Sequence, residues 1–147
     1  MLTTGIVCVK RVLIETRGGI VKQQYETNPF DEVAMEAGLE MKEKKMMKRI
    51  VAISVGRGKE GEGEEEEEKG LRKALSMGAD QAIHIKARTE TPLLVATAIA
   101  EMIKRETLKT IGVVVLGQQS TDTTNCQVPQ ILAGILGWQQ ATFVTSH

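Results

Sequence analysis

The feature that most limits what this chain can fold into is a repeated unit: a short uncharged apolar run, an abrupt stop, then a helical pattern. The apolar runs are Gly5-Ile6-Val7-Cys8-Val9, Ile50 to Val55, Ala82 to Ile85 and Ile111 to Leu116. Each has the length of a strand. Being apolar throughout rather than alternating, each needs cover on both faces, which is the signature of a buried parallel sheet.

The intervening segments supply that cover. Asn28-Pro29-Phe30-Asp31-Glu32 reads as a helix start. Asn28 suits the cap, Pro29 the first helical position, and Asp31 and Glu32 the positive amino end. Phe30, Val33, Ala34, Ala37 and Met41 then fall on one helical face, and Lys42 to Lys48 closes the helix with basic residues. A second helix carries Leu71, Ala74 and Leu75 to Met77 and stops at Gly78. Thr91 and Pro92 open a third, whose Leu94, Val95, Ala98, Met102 and Ile103 share a face; Gln130 to Leu136 makes the last. Thr16 to Thr27, with Gly18-Gly19, reads as a turn or small hairpin. The order β-α-β-α-β-α-β-α predicts an α/β fold: three layers, a mostly parallel sheet with helices on both faces, Rossmann-like.

At 147 residues the chain has the length of one domain, and the expectation is a single domain over 1–147. Within it, 57–70 is an acidic low-complexity insertion dominated by Glu. It reads as a solvated loop or the start of a helix. Nineteen basic and nineteen acidic residues cancel, and aromatics are only 3%, so no nucleic-acid partner is expected. The longest uncharged apolar stretch, Pro92 to Ala100, is far short of the ~20 residues of a membrane span. Gly5 already opens a strand, so no long removable presequence is expected. Cys8 and Cys126 make no disulfide framework, and His84 and His147 have no ligand spacing; the expected compartment is reducing and no metal site is expected.

In an open parallel sheet the ligand lies beyond the carboxyl ends of the strands. The exits are Cys8 to Arg11, Val55 to Arg57, Ile85-Lys86 and the stretch from Gly117, with Asn28 at the same edge. Neither G-x-G-x-x-G after the first strand nor G-x-x-x-x-G-K-[ST] occurs. Arg57 to Gly63 is glycine-rich, yet its carboxylates would repel phosphate. The stronger candidate is Gly117, Gln118, Gln119, Ser120, Thr121, Asp122, Thr123, Thr124, Asn125, Cys126, Gln127 and Val128. Its hydroxyl and amide side chains, with backbone N–H groups at a helix start, suit phosphate or ribose hydroxyls, and Asp122 suits a ribose or adenine donor. The same residue types would equally serve as caps for the helix that follows. No Ser/His/Asp or Cys/His constellation can be assembled, so no catalytic residue is assigned. His84 reads as a packed or edge residue, Cys8 as a small hydrophobe, and Met35, Met41, Met46, Met47 and Met77 as core and helix-face fillers. Cys126 has no adjacent basic residue to activate it.

Several stretches carry a family resemblance: V-C-V-K-R-V (Val7 to Val12), N-P-F-D-E-V-A-M-E-A (Asn28 to Ala37), K-A-L-S-M-G-A-D-Q-A-I-H-I (Lys73 to Ile85), the G-Q-Q-S-T-D loop, and G-W-Q-Q-A-T-F (Gly137 to Phe143). In this order and spacing they resemble the β subunit of electron-transfer flavoprotein, in the N-terminal part of that family's chain. The resemblance implies a heterodimer with an α subunit, which accepts electrons from acyl-CoA and related dehydrogenases and passes them to a membrane quinone reductase. FAD is then held mainly by the α partner, while the β chain keeps a structural AMP and is no enzyme by itself. The AMP contacts implied are Cys8, Asn28, Pro29, Phe30, Asp31, Val55, and Gly117 through Val128. The implied location is the mitochondrial matrix, or the cytoplasm in a bacterium.

This chain also departs from the family. Gln118 stands where a Lys is usual, Asp122 is followed by Thr123 and Thr124 rather than further acidic residues, Cys126 replaces Asn or Gly, and the Glu tract is an insertion. The family's dehydrogenase-docking segment and its C-terminal arm lie beyond His147. A stand-alone adenine-nucleotide-binding domain and an enzyme acting on adenine nucleotides are the competing readings, and fold alone does not separate them.

Overall fold

The computed structural model of the chain describes residues 3–9, 11–14, 24–56, 64–87, 91–105, 111–117 and 127–142. In chain order its elements are β1 (Thr3–Cys8), β2 (Arg11–Ile14), β3 (Gln24–Thr27), α1 (Pro29–Glu43), β4 (Met47–Gly56), α2 (Glu64–Met77), β5 (Gln81–Lys86), α3 (Pro92–Lys104), β6 (Ile111–Leu116) and α4 (Val128–Leu136). Every apolar run becomes a strand of one parallel sheet, in the order β5-β4-β1-β6. β1 lies inside it, with Ile6 opposite Val51 on one side and Val114 on the other.

Successive strand residues point to opposite faces, and the core divides accordingly. Ile6, Val51 and Ile53 pack with Ala96, Ile99, Ala100 and Ile103 of α3 and with Leu132 of α4. Val7, Ile50 and Ala52 pack with Ala34 and Met35 of α1 and with Leu71 and Ala74 of α2. The result is the expected three-layer α/β sandwich. Ile6, Met35, Ile50, Ile53 and Ile99 are among the side chains buried most completely, and each such burial stabilises the fold by about 1.5–3 kcal/mol.

The first crossover departs from simple alternation. It contains an antiparallel pair, β2 with β3, running from Arg11 opposite Thr27 to Ile14 opposite Gln24. β3 falls within the turn or small hairpin expected over Thr16 to Thr27, whereas β2 precedes that stretch, and Gly18-Gly19 lies outside the described residues. The pair lies against α2.

Two helical faces are rotated from expectation. α1 buries Asp31, Ala34, Met35 and Gly38, while Val33 is 64% exposed. The cause is Gly38: a Cβ there would stand 2.8 Å from Val7 Cγ2. The helix therefore rests on β1 through a residue that a count of apolar side chains passes over. α3 likewise turns Ala96, Ile99 and Ala100 to the sheet together with the expected Ile103, and leaves the expected Leu94 exposed. Small residues allow close helix–sheet approach, and the larger leucines are displaced outward. Met46, expected as a filler, is exposed.

α2 begins at Glu64, so the latter part of the Glu tract is helical rather than loop, with acidic residues in the turns where the helix end is positive. Glu68 pairs with Arg72 one turn on, at 3.4 Å. Gly78 ends the helix with φ 128°, a conformation costly for any residue with a side chain.

At the amino edge of the sheet, Asp80 fastens three segments together. Its N–H donates to Ile50 O at 2.8 Å, its Oδ2 accepts from Ile50 N–H at 2.8 Å, and Lys42 Nζ at the end of α1 donates to both carboxylate oxygens at 2.7 Å. Burial alone would raise the carboxyl's pKa. The Lys42 hydrogen bond, the Ile50 N–H and the charges of Lys42 and Arg49 outweigh it and hold Asp80 below the ordinary carboxylate range.

Candidate functional site at the strand exits

The strand order creates a reversal. From β1 the chain moves through α1 to β4 and through α2 to β5, always in one direction and along one face. From β5 it passes through α3, on the other face, to β6 on the far side of β1. Consequently the helices that follow β1 and β6 lie on opposite faces, and a crevice opens beyond the carboxyl ends of these two strands. This is the place where open α/β sheets bind ligands.

Cys8 and Leu116 are the last paired residues of β1 and β6, and Val9 N–H continues the pairing to Ile53 O at 2.8 Å. Gly117 follows at once. A Cβ on Gly117 would stand 2.9 Å from the carbonyl carbon of Phe30, 3.0 Å from Asp31 N and closer still to Asp31 Oδ1. The first turn of α1 thus sits directly on the β6 exit, an approach open only to glycine. This contact brings the N-P-F-D segment to the mouth of the loop from Gly117.

Asn28 is 2% exposed and Asp31 6% exposed. Asn28 occupies the cap position of α1, but its side chain makes no capping hydrogen bond. Its own carbonyl accepts from Asp31 N–H at 2.9 Å and Glu32 N–H at 3.2 Å. With Asp31 N–H directed to the Asn28 backbone carbonyl, the expected side-chain cap is not formed, which corrects that expectation. Thr91, by contrast, caps α3 as expected, its Oγ1 accepting from Leu94 N–H at 3.3 Å.

Cys8 is partly buried and packs against the core between the sheet and α3/α4. Burial pushes its thiol pKa far up, and the negative charge of Asp31 adds to the effect. The residue is a neutral thiol at physiological pH, not a nucleophile.

Cys8, Asn28, Phe30, Asp31 and Gly117 therefore converge. Val55 stands at the carboxyl end of β4, beside β1, and is partly buried against the α3/α4 core. Pro29 is exposed in the first turn of α1; Gln127 is exposed and Val128 partly buried at the start of α4. Gln118, Gln119, Ser120, Thr121, Asp122, Thr123, Thr124, Asn125 and Cys126 lie outside the described residues.

Ser54 was passed over by sequence reasoning. It is 3% exposed, near the carboxyl end of β4. A hydroxyl in an otherwise apolar strand was the available signal. Of the buried polar residues described, Thr4 lies at the amino end of β1, whereas Asn28, Asp31 and Ser54 lie toward the carboxyl edge. Among the described residues no group of His, Cys, Asp and Glu is arranged to hold a metal ion, and no helix is long and apolar enough to cross a membrane.

Comparison with known proteins gives one family. Residues 18–147 match the model of the electron transfer flavoprotein domain. The electron transfer flavoprotein subunit beta of Dictyostelium discoideum is 38% identical over 119 residues, covering 80% of this chain and 44% of its own. The human protein of the same name is 34% identical over 155 residues, covering 95% of this chain and 57% of its own. The mitochondrial form of Arabidopsis thaliana is 34% identical over 119 residues, covering 80% of this chain and 43% of its own. The chain thus spans about half the length of the relatives it matches.

Proposed function

Because the chain belongs to the electron transfer flavoprotein domain family, we propose that it is the nucleotide-binding part of a β subunit in a heterodimeric electron carrier. In this reading residues 1–147 form a single domain, with 57–70 an insertion in it. The domain binds a structural AMP at the β1/β6 crevice and pairs with an α subunit that holds most of the FAD. The assembled carrier takes electrons from acyl-CoA and related dehydrogenases and delivers them to a membrane quinone reductase. Its place is the mitochondrial matrix, or the cytoplasm of a bacterial host; relatives include a mitochondrial plant form and a bacterial one.

The observation that carries the reading is the convergence of the α1 amino end on Gly117 at the reversal of strand order. It brings Cys8, Asn28 and Asp31 to the mouth of the loop Gly117 to Val128, which is rich in hydroxyl and amide groups. The backbone N–H groups at the start of α4 suit a phosphate. FAD, when bound by the pair, supplies the redox chemistry. The residues of this chain bind and orient, and the thiol at Cys8 stays protonated and inert.

A stand-alone adenine-nucleotide-binding domain of the same fold is the second reading, since fold alone does not separate the two. One experiment separates the two. The purified chain is denatured, the released nucleotide is identified by mass spectrometry, and binding of an electron transfer flavoprotein α subunit is measured. AMP with α-subunit binding supports the carrier; AMP alone supports the stand-alone domain. Absence of any adenine nucleotide, with none taken up on addition, overturns both.

A further inference from the structure

The turn that joins α1 to β4 breaks two local rules at once. α1 closes with Lys45 N–H on Lys42 O and Met46 N–H on Met41 O, both at 2.9 Å, the bonds of a Schellman ending. Lys45 takes the left-handed position of this ending, with φ 58°. Glycine is usual there, because a side chain is strained in that conformation. The next residue commonly folds back onto the helix's last apolar turn, yet Met46 stands 56% exposed. Local departures of this kind cluster at working surfaces.

Positive charge is concentrated around the same turn. Lys44, Lys45, Lys48 and Arg49 are all exposed. Lys44 is held by Glu40 at 2.5 Å, and Arg49 Nη2 donates to the neutral Gln81 Oε1 at 2.7 Å. Lys45 and Lys48 have no ionic partner among the described residues. α3 ends along the same edge of the sheet with Lys104 and Arg105, both exposed. The helix dipole accounts for cations at the ends of α1 and α3, but Lys48 and Arg49 belong to β4. A net charge of zero hides this polarity. The Glu-rich start of α2 stands at the far end of that 14-residue helix, ~20 Å from the basic edge and too distant to neutralise it.

The side chains choose among anionic partners. A protein interface of ordinary size needs an apolar centre and disfavours lysine, whereas here Met46 stands among lysines. A nucleic acid offers phosphates but no apolar layer to receive Met46. Cations on flexible stems around one outward apolar side chain match an anionic lipid surface, where charge attraction and apolar burial act together and no shape match is needed.

We infer that the amino edge of the sheet is a docking face for an anionic phospholipid surface: Lys45, Lys48 and Arg49 meet the headgroups, and Met46 enters between them. This face lies at the opposite edge from the strand exits and is independent of the nucleotide-binding reading.

The test sediments the full chain with vesicles of phosphatidylcholine alone and of equimolar phosphatidylcholine and phosphatidylserine. Binding is expected to the mixed vesicles and not to the neutral ones, and it should fall as salt is raised. Lys45→Gln and Lys48→Gln should each weaken partitioning about fivefold, and Met46→Ser should weaken it without altering its salt dependence. Lys45→Gly keeps the test clear of misfolding, because glycine relieves the left-handed residue: its urea midpoint should not fall while its partitioning does. Equal binding to both vesicles, binding to neither, or wild-type partitioning by the lysine variants overturns the inference. Tighter binding to polyglutamate or to duplex DNA than to the mixed vesicles, unaltered in Met46→Ser, overturns it too and assigns the edge to an acidic protein or to a nucleic acid.

Discussion

Two aspartates stand at opposite edges of one sheet, and they do different work. Asp80, at the amino edge, is exposed, and both its oxygens are accounted for by Lys42 and the Ile50 N–H. It joins the end of α1 to β4 and to the start of β5, and water can reach it. Asp31, at the carboxyl edge, is buried at the start of the same helix, beside the exits of β1 and β6. Taking a carboxylate out of water costs several kcal/mol in a typical protein before its partners offset it. An acidic residue buried at the strand exits is what the proposed nucleotide site would use. One helix thus carries an exposed fastening at its end and a buried acidic residue at its start.

The contrast breaks most readily at Gly117. In Gly117→Val, the added side chain must displace Phe30 or Asp31 backbone atoms that a Cβ would meet at 2.9 and 3.0 Å. Overpacking of this kind costs about 1–3 kcal/mol. The expected result is a lower urea midpoint together with loss of retained nucleotide. Retention at the wild-type level, measured by mass spectrometry of the denatured variant, would show that α1 need not approach β6 for binding.

Asp80→Asn should do the reverse, weakening the fold and sparing the ligand. The Lys42 pair is partly exposed, so the loss is set at about 1 kcal/mol rather than the value for a buried pair. The sign of its pH dependence is fixed by the lowered pKa of Asp80 in the folded state. Its contribution is complete above the unfolded carboxyl value of about 3.9 and is lost as pH falls through the lower, folded value. Wild type and variant should therefore differ in urea midpoint at neutral pH and converge in strong acid. A gap that persists there would mean that Asp80 acts through shape and not charge.

The strands and the layering were legible because continuous apolar runs leave few alternatives. Ile111–Leu116 is a strand with the bounds expected for it. The buried helix faces were less legible, because Gly38 and the alanines of α3 decide which side approaches the sheet. Pattern reading weights the large apolar residues Val33 and Leu94, which stay at least partly outside. At the site, the strand exits and the N-P-F-D segment were readable from position alone. The contact of Gly117 with α1 was not, since it joins residues far apart in the chain through an atom that glycine lacks. The missing side-chain cap at Asn28 was hidden for a related reason: residue type predicts the capacity to cap, whereas the side-chain orientation depends on packing at the strand exits, where Asn28 is buried.

The smallest effect tests whether all helix starts at the carboxyl edge are equivalent. Thr91 lies there too, but its hydroxyl is spent on Leu94 N–H over a rather long 3.3 Å, at an exposed position. Thr91→Ala should therefore cost about 0.5–1 kcal/mol, the lower part of the range for a lost cap. It should leave nucleotide retention as it is in the wild-type chain. If retention falls instead, α3 shares in the proposed site. If only stability falls, Thr91 serves the helix alone, and the proposed site lies with the starts of α1 and α4 rather than with every helix start along the edge.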